Sequence, residues 1–243
     1  MTELFVALCS VMGAFLQRVC GFGFGTFVMV FFPYLVASYG QATALSGIAN
    51  IGVSLSGALS GRNHIQFKQV ILPTVCATAA KLICIPIVAA LSGSYTHVMK
   101  KVLGVMLVIL AVYFIFFSKK IRIKPTPFAG VCAGFLAGVF DGFFAMGGPP
   151  AVIYFLALNP YSKENYHATI QCYFLFSGLV SLVIRACSGL ITGEILYLAV
   201  FGIAGMLVGT LCGRYVFGKL SVKNMRFLIY IFMAVSGIIS ALS

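Results

Sequence analysis

The apolar residues of this chain run in long blocks, and the telling positions are where a block breaks. Continuous apolar stretches fall at roughly 40–60, 70–91, 98–118, 166–187, 194–213 and 225–242. Each is near the ~20 residues that a helix needs to cross a bilayer. Two further stretches, 2–37 and 127–158, are interrupted. The first breaks at Cys20-Gly21-Phe22-Gly23-Phe24-Gly25, and the second at Met146-Gly147-Gly148-Pro149-Pro150. Each is followed by three continuous stretches. The pattern predicts two halves, 1–118 and 127–243, joined by a basic linker at 119–126. Small echoes support the division: Gln41-Ala42-Thr43 follows the first break and His167-Ala168-Thr169 the second, and Gly13 and Gly138 stand ahead of the two breaks.

Glycine clusters permit close backbone approach, and Pro149-Pro150 removes two amide donors from any continuous ladder. Freed backbone groups are costly in hydrocarbon, so such breaks belong against protein or a wet cavity. A helix restarting after a break presents free N–H groups and the positive end of its dipole, which is a seat for an anion. The restarts near Thr26 and near Pro150 are the expected seats. The alternative is a purely structural kink, with glycines serving close helix packing. Broken helices at matching places in two halves point to a binding site at the repeat interface of a transporter.

Composition fixes the environment. Of 243 residues 61% are hydrophobic and 8% charged, against roughly 25% charged in a soluble domain; mean hydropathy is +1.09. The chain is therefore an all-α polytopic membrane protein. Residues 1–8 carry Glu3 and no Lys or Arg, unlike a signal peptide. The net charge of +12 reads as inner-face loops in contact with anionic lipid, or in part as attraction for an anionic solute. No basic face belongs to a folded soluble module, so nucleic acid is not an expected partner. The eight cysteines are scattered, with no CxxC pair, and suggest neither a metal site nor a disulfide framework. Cys20, beside the first break, is the one that could line a site.

Charge also orients the chain. Arg62 and Lys68, the run Lys119 to Lys124, and the run Arg214 to Arg226 place 61–69, 118–126 and 213–224 in the cytoplasm. Three spans link residue 40 to residue 118, so residue 40 lies outside. Two spans separate residue 165 from 213, so 165 lies inside, as does 124. Segment 127–158 must then return to the side it left, as a re-entrant hairpin of two half-helices. By analogy 2–37 is also a hairpin, with the N-terminus outside. The expected fold is two inverted-topology repeats, each a broken helical hairpin plus three transmembrane helices. Eight full crossings are the alternative, and Lys100 and Lys101, near the outer face in the hairpin arrangement, are its weak point.

Polar residues inside the spans are the candidate chemistry. Lys81, mid-span, suits an anion or pairs with an acid. Asp141, on the first arm of the second hairpin, suits proton coupling, or neutralises Lys81 or Arg18. Arg18 is its rough counterpart in the first hairpin. Thr43, Ser46 and Asn50 form one stripe, and Thr169, Gln171 and Ser177 occupy the matching span. These donors bind a desolvated anion, or hold helices together. The expected substrate site is Gly21, Gly23, Gly25, Thr26, Thr43, Ser46, Asn50, Lys81, Gly147, Gly148, Pro149, Pro150, Thr169 and Gln171, with Asp141 and Arg18 as an ion pair or proton carrier.

The motifs Gly13…Gly21-Phe22-Gly23-Phe24-Gly25 and Gly138…Gly142…Gly147-Gly148-Pro149-Pro150 resemble the paired glycine-rich motifs of the sulfite exporter TauE/SafE family, across essentially the whole chain. The usual family form has a glycine triplet followed by a proline; here the first site alternates Gly with Phe, and the second ends in Pro149-Pro150. The resemblance implies a membrane permease for sulfite, organosulfonates or related small anions. The expectation is a secondary transporter of a small anion in the cell inner membrane, without a cofactor and not an enzyme. Without a nucleotide-binding motif, ATP is not the expected driver. Lipids are expected partners, and homo-oligomer formation and proton coupling stay open. An anion channel and a non-transporting membrane scaffold or partner subunit are the alternatives.

Overall fold

The computed structural model describes residues 1–92, 95–99, 101–103, 105–106, 109, 126–159, 162–221 and 224. The expected spans 98–118 and 225–242 and the basic linker fall wholly or largely outside these. Among the described residues eight α-helices have defined bounds: α1 (Thr2–Cys20), α2 (Phe24–Val28), α3 (Tyr39–Ser60), α4 (Phe67–Leu91), α5 (Pro127–Phe144), α6 (Gly148–Leu158), α7 (Lys163–Cys187) and α8 (Gly193–Lys219). Among the described residues six of them, all but α2 and α6, are long and apolar enough to cross a membrane.

Local chemistry sets the boundaries. The side chains of Ser38, Thr126, Ser162 and Thr192 each accept a hydrogen bond from a first-turn N–H, capping α3, α5, α7 and α8. Helix α1 ends where Gly21 turns left-handed at φ 86°, and α5 ends the same way at Ala145, φ 54°. Proline occupies the opening turn of α6, where a missing N–H breaks no intrahelical bond.

The long helices pair through glycine. A Cβ placed on Gly205, Gly209 or Gly213 of α8 would strike the backbone of Ala7, Val11 or Phe15 in α1; one on Gly134 or Gly138 of α5 would strike Pro73 or Ala77 in α4. Both registers ascend together, so each pair is parallel, and small residues let the backbones touch. Helix α3 packs on α7; α4 also lies on α7, and α3 on α8. Outward positions of α4 and α8, such as Ile71, Val75, Ile83, Val200, Leu207 and Leu211, are exposed apolar side chains suited to lipid.

The two interrupted stretches fold back on themselves. Phe24 and Val28 face Gly13, and the Phe31 ring lies 6.0 Å from Phe5, near the start of α1. In the second, Tyr154 of α6 covers Gly130 near the start of α5. Gly40 meets Ser92 and Leu190, which gathers those segments at one end of the bundle, here the Ser38 end. At the opposite Gln66 end, His64 contacts Asn165 at 3.2 Å, Gln66 N donates to Thr169 Oγ1 at 3.1 Å, and Asn159 donates to Gln69 at 3.0 Å.

Two expectations change. The arms of each folded-back stretch are unequal rather than paired half-helices. At 1.5 Å per residue, the 19 residues of α1 rise about 28 Å, whereas α2 has 5 residues. The residues expected to open a loop at 213 instead continue α8 to Lys219; Arg214 and Lys219 ride its last turns.

Candidate functional site

The two breaks meet. A Cβ on Gly25 would lie 2.0 Å from the carbonyl oxygen of Ala145, and one on Gly148 would lie 2.8 Å from the Phe22 ring. Beside this contact is a cleft of about 420 Å³, counting the space at its mouth. Gln17, Gly23, Gly25 and Thr26 wall it from the first half; Asp141, Ala145, Met146, Gly147 and Gly148 wall it from the second. Asn50 of α3 and Tyr173, Phe174, Ser177 and Gly178 of α7 complete it.

Side chains satisfy the backbone freed by the first break. Gln17 Oε1 accepts from Phe24 N at 3.3 Å, and its Nε2 donates to Ser54 Oγ and to Gln171 Oε1, each at 3.1 Å. Gln171 Nε2 donates to the Gly21 carbonyl at 2.8 Å, and Tyr166 Oη to the Cys20 carbonyl at 3.1 Å. Buried Cys20 thus lies behind the break and not on the cleft wall. Unpaired groups here would be costly, so this amide network holds the break in shape.

The second break is held by charge. Lys81 Nζ sits 2.7 Å from Asp141 Oδ2, and it donates to the Ser177 carbonyl at 2.8 Å and to Ser177 Oγ. Ser181 Oγ donates to the same carboxylate oxygen. Arg185 Nη2 donates to the Asp141 carbonyl at 2.7 Å and its Nε to Thr43 Oγ1 at 3.2 Å. Lys81 and Arg185 are each 1% exposed, while the Asp141 side chain is 19% exposed. Two buried cations therefore back one carboxylate at the cleft wall, leaving positive charge in excess.

Gln17 and Asp141 are structural counterparts. Each stands four residues before a left-handed cap, and each carbonyl accepts that cap's N–H, from Gly21 and Ala145 respectively. Each side chain bonds a serine on the helix after its own break, Ser54 or Ser181. Asp141 thus matches Gln17, and Arg18 is not its counterpart.

The expected residues divide. Gly23, Gly25, Thr26, Asn50, Asp141, Gly147 and Gly148 line the cleft. Ser46 Oγ lies beside Gly25 without a partner, as Asn50 Oδ1 does within the wall. Lys81 stands behind Asp141. Thr43 is engaged by Arg185 and the Gly40 carbonyl, Thr169 by Gln66, and Gln171 by Gln17 and Gly21. Gly21 lies under Tyr166. Arg18 packs against Gly213, and no ion pair among the described residues joins it to Asp141. The expected amide seats are poorer than foreseen: the helices restart at Phe24 and Gly148, Phe24 N is taken by Gln17, and Pro149 and Pro150 have no N–H.

Gln17, Tyr173, Phe174, Gly178 and Arg185 were not foreseen as site residues. Arg185 carried a signal: a lone cation at helical spacing from Ser177 and Ser181 in an apolar span. Gln17 carried one only through its distance from the break. Among the described residues no group of three or more His, Cys, Asp or Glu could hold a metal ion.

A family model described as Sulfite exporter TauE/SafE matches residues 6–239. No curated protein and no solved structure gives a significant match.

Proposed function

The chain belongs to the sulfite exporter TauE/SafE family, and on that premise we propose that it is a secondary transporter moving a small anion across the cell inner membrane by alternating access. The solute class is a sulfur oxyanion, a sulfonate or a small organic acid. The observation that carries this reading is the meeting of two helix breaks, one from each half, at a cleft backed by Lys81, Asp141 and Arg185 with positive charge in excess. A desolvated anion gains most where buried cations face it at low dielectric.

An inverted repeat is the arrangement that best accounts for the packing. Helix α1 rests on α8 as α5 rests on α4, and α3 rests on α8 as α7 rests on α4. Exchange of the halves leaves this pattern in place, and rocking of one half on the other would open the cleft to each side in turn. The Gln66 end, with Arg62, Lys68, Lys163, Arg214 and Lys219, is the cytoplasmic one on charge grounds. In the cleft, Gly23, Gly25, Gly147 and Gly148 let backbone close on the solute. Gln17, Thr26, Asn50 and Ser177 offer polar contacts. The Asp141 carboxylate opposes an incoming anion until it takes a proton or Lys81 swings toward the solute. Proton coupling through Asp141 and uniport driven by the anion gradient are the two forms this allows.

The test is flux in proteoliposomes with sulfite, sulfate, thiosulfate, methanesulfonate and acetate. Saturable counterflow of at least one is expected. Single-channel currents would replace the carrier with a pore. No flux and no solute-dependent thermal shift with any of the five would leave a scaffold or partner subunit.

A further inference from the structure

Arg18 is the buried cation that the cleft does not use. It is 5% exposed, and its Nε and Nη1 have no hydrogen-bond partner. No ion pair among the described residues includes it. Two helices, α7 and α8, flank it at the Gln66 end. Gly213 of α8 packs on its Cβ and Cγ, and the next residue, Arg214, is close enough to act on its charge. His167, in the opening turns of α7, is buried close by, its ring 4.7 Å from that of Phe217 on α8. Its Nε2 is buried and without a partner. Among the described residues, Lys163 donates to the carbonyls of Phe217 and Leu220 and pairs loosely with Glu164.

A guanidinium withdrawn from water and left without an anion is one of the costliest arrangements a protein can hold. Here a second cation sits beside it, which makes the arrangement worse unless something negative joins them. Arginine also presents a planar fork of donors suited to an oxyanion. We propose that Arg18, with Arg214, forms a second oxyanion seat between the cleft and the Gln66 end, distinct from the site between the breaks. Its chemistry fits a sulfate- or phosphate-like group, whether a free ion passing to or from the cleft or the headgroup of an anionic phospholipid. Gln17, which walls the cleft, is the residue before Arg18 on α1.

Thermal unfolding of the purified chain, titrated with sulfate in otherwise anion-poor buffer, tests the seat. A saturable rise in Tm is expected. Arg18→Gln should weaken the apparent sulfate affinity about tenfold or more, and Arg214→Gln, at an exposed position, should weaken it about threefold or more. The Arg18-dependent rise should persist in Lys81→Met, which separates this seat from the cleft. Without sulfate, Arg18→Gln should unfold no lower than wild type, because it removes a buried unpaired charge. Phosphorus analysis of the purified proteins distinguishes the source. Bound phospholipid lost in both arginine variants, with no sulfate response in wild type, identifies a headgroup as the occupant. Equal sulfate response in wild type and both variants, or no response together with equal phosphorus, overturns the proposal.

Discussion

At the scale of single residues, the charges explain one another only as a group. Lys81, Asp141 and Arg185 come from three different helices, and Ser177, Ser181 and Thr43 add hydrogen bonds to them. Removing one partner of such a pair leaves a buried ion uncompensated, at about 3–5 kcal/mol. Asp141→Leu, which leaves two buried cations, should destabilise by about that much or more, Lys81→Met by less because Arg185 still offsets the carboxylate, and the double variant by less than the sum of the two. Unfolding of the four proteins in detergent measures this; an additive double variant would show that the pair is not coupled. The sequence made the Lys81–Asp141 pairing legible, because only four acids exist in the chain and Asp141 is the one inside a span. It did not single out Arg185, since a cation near a helix end commonly is a boundary charge. It also misaligned Arg18 with Asp141: the register of the two breaks is set by their left-handed caps, which are visible only in backbone angles.

Those caps carry the prediction that belongs to elements. Ala145 holds φ 54° without the freedom of glycine, whereas its counterpart Gly21 holds φ 86°. The left-handed conformation costs a residue with a Cβ about 1–2 kcal/mol. Ala145→Gly should therefore raise stability by up to about 1 kcal/mol, offset in part by chain entropy. Gly21→Ala should lower it by more, because its Cβ would also lie 2.8 Å from the Tyr166 ring. Tm of the two variants, compared with wild type, decides this. Close packing gives a second case. Gly138→Ala would drive a methyl to 2.5 Å from the Ala77 carbonyl oxygen, while Gly193 has open space around it. Overpacking costs about 1–3 kcal/mol, so Gly138→Ala should lose that much and Gly193→Ala almost nothing. The breaks could be read from spacing alone. The unequal arms could not, because the apolar runs continue on both sides of each break and nothing in them says where the returning helix stops.

Across the whole molecule, the tightest contact between the two breaks is Gly25 against the Ala145 carbonyl. Nothing larger than hydrogen fits there, since a Cβ would sit at 2.0 Å. A carrier must let this contact form and open as the halves rock. Gly25→Ala should hold the breaks apart. In proteoliposomes it should reduce counterflow of the transported anion by about tenfold or more, the scale of a 1.4 kcal/mol bias against the closed arrangement. Its effect on Tm should be no greater than that of Gly138→Ala, because α1 and α5 keep their partners α8 and α4. A variant that transports at the wild-type rate would mean that the contact is passive packing. A variant that unfolds outright would mean that it belongs to the core rather than to the moving interface. The comparison therefore tests whether the break-to-break contact, which the sequence pattern pointed to, is where the two halves meet in the working cycle.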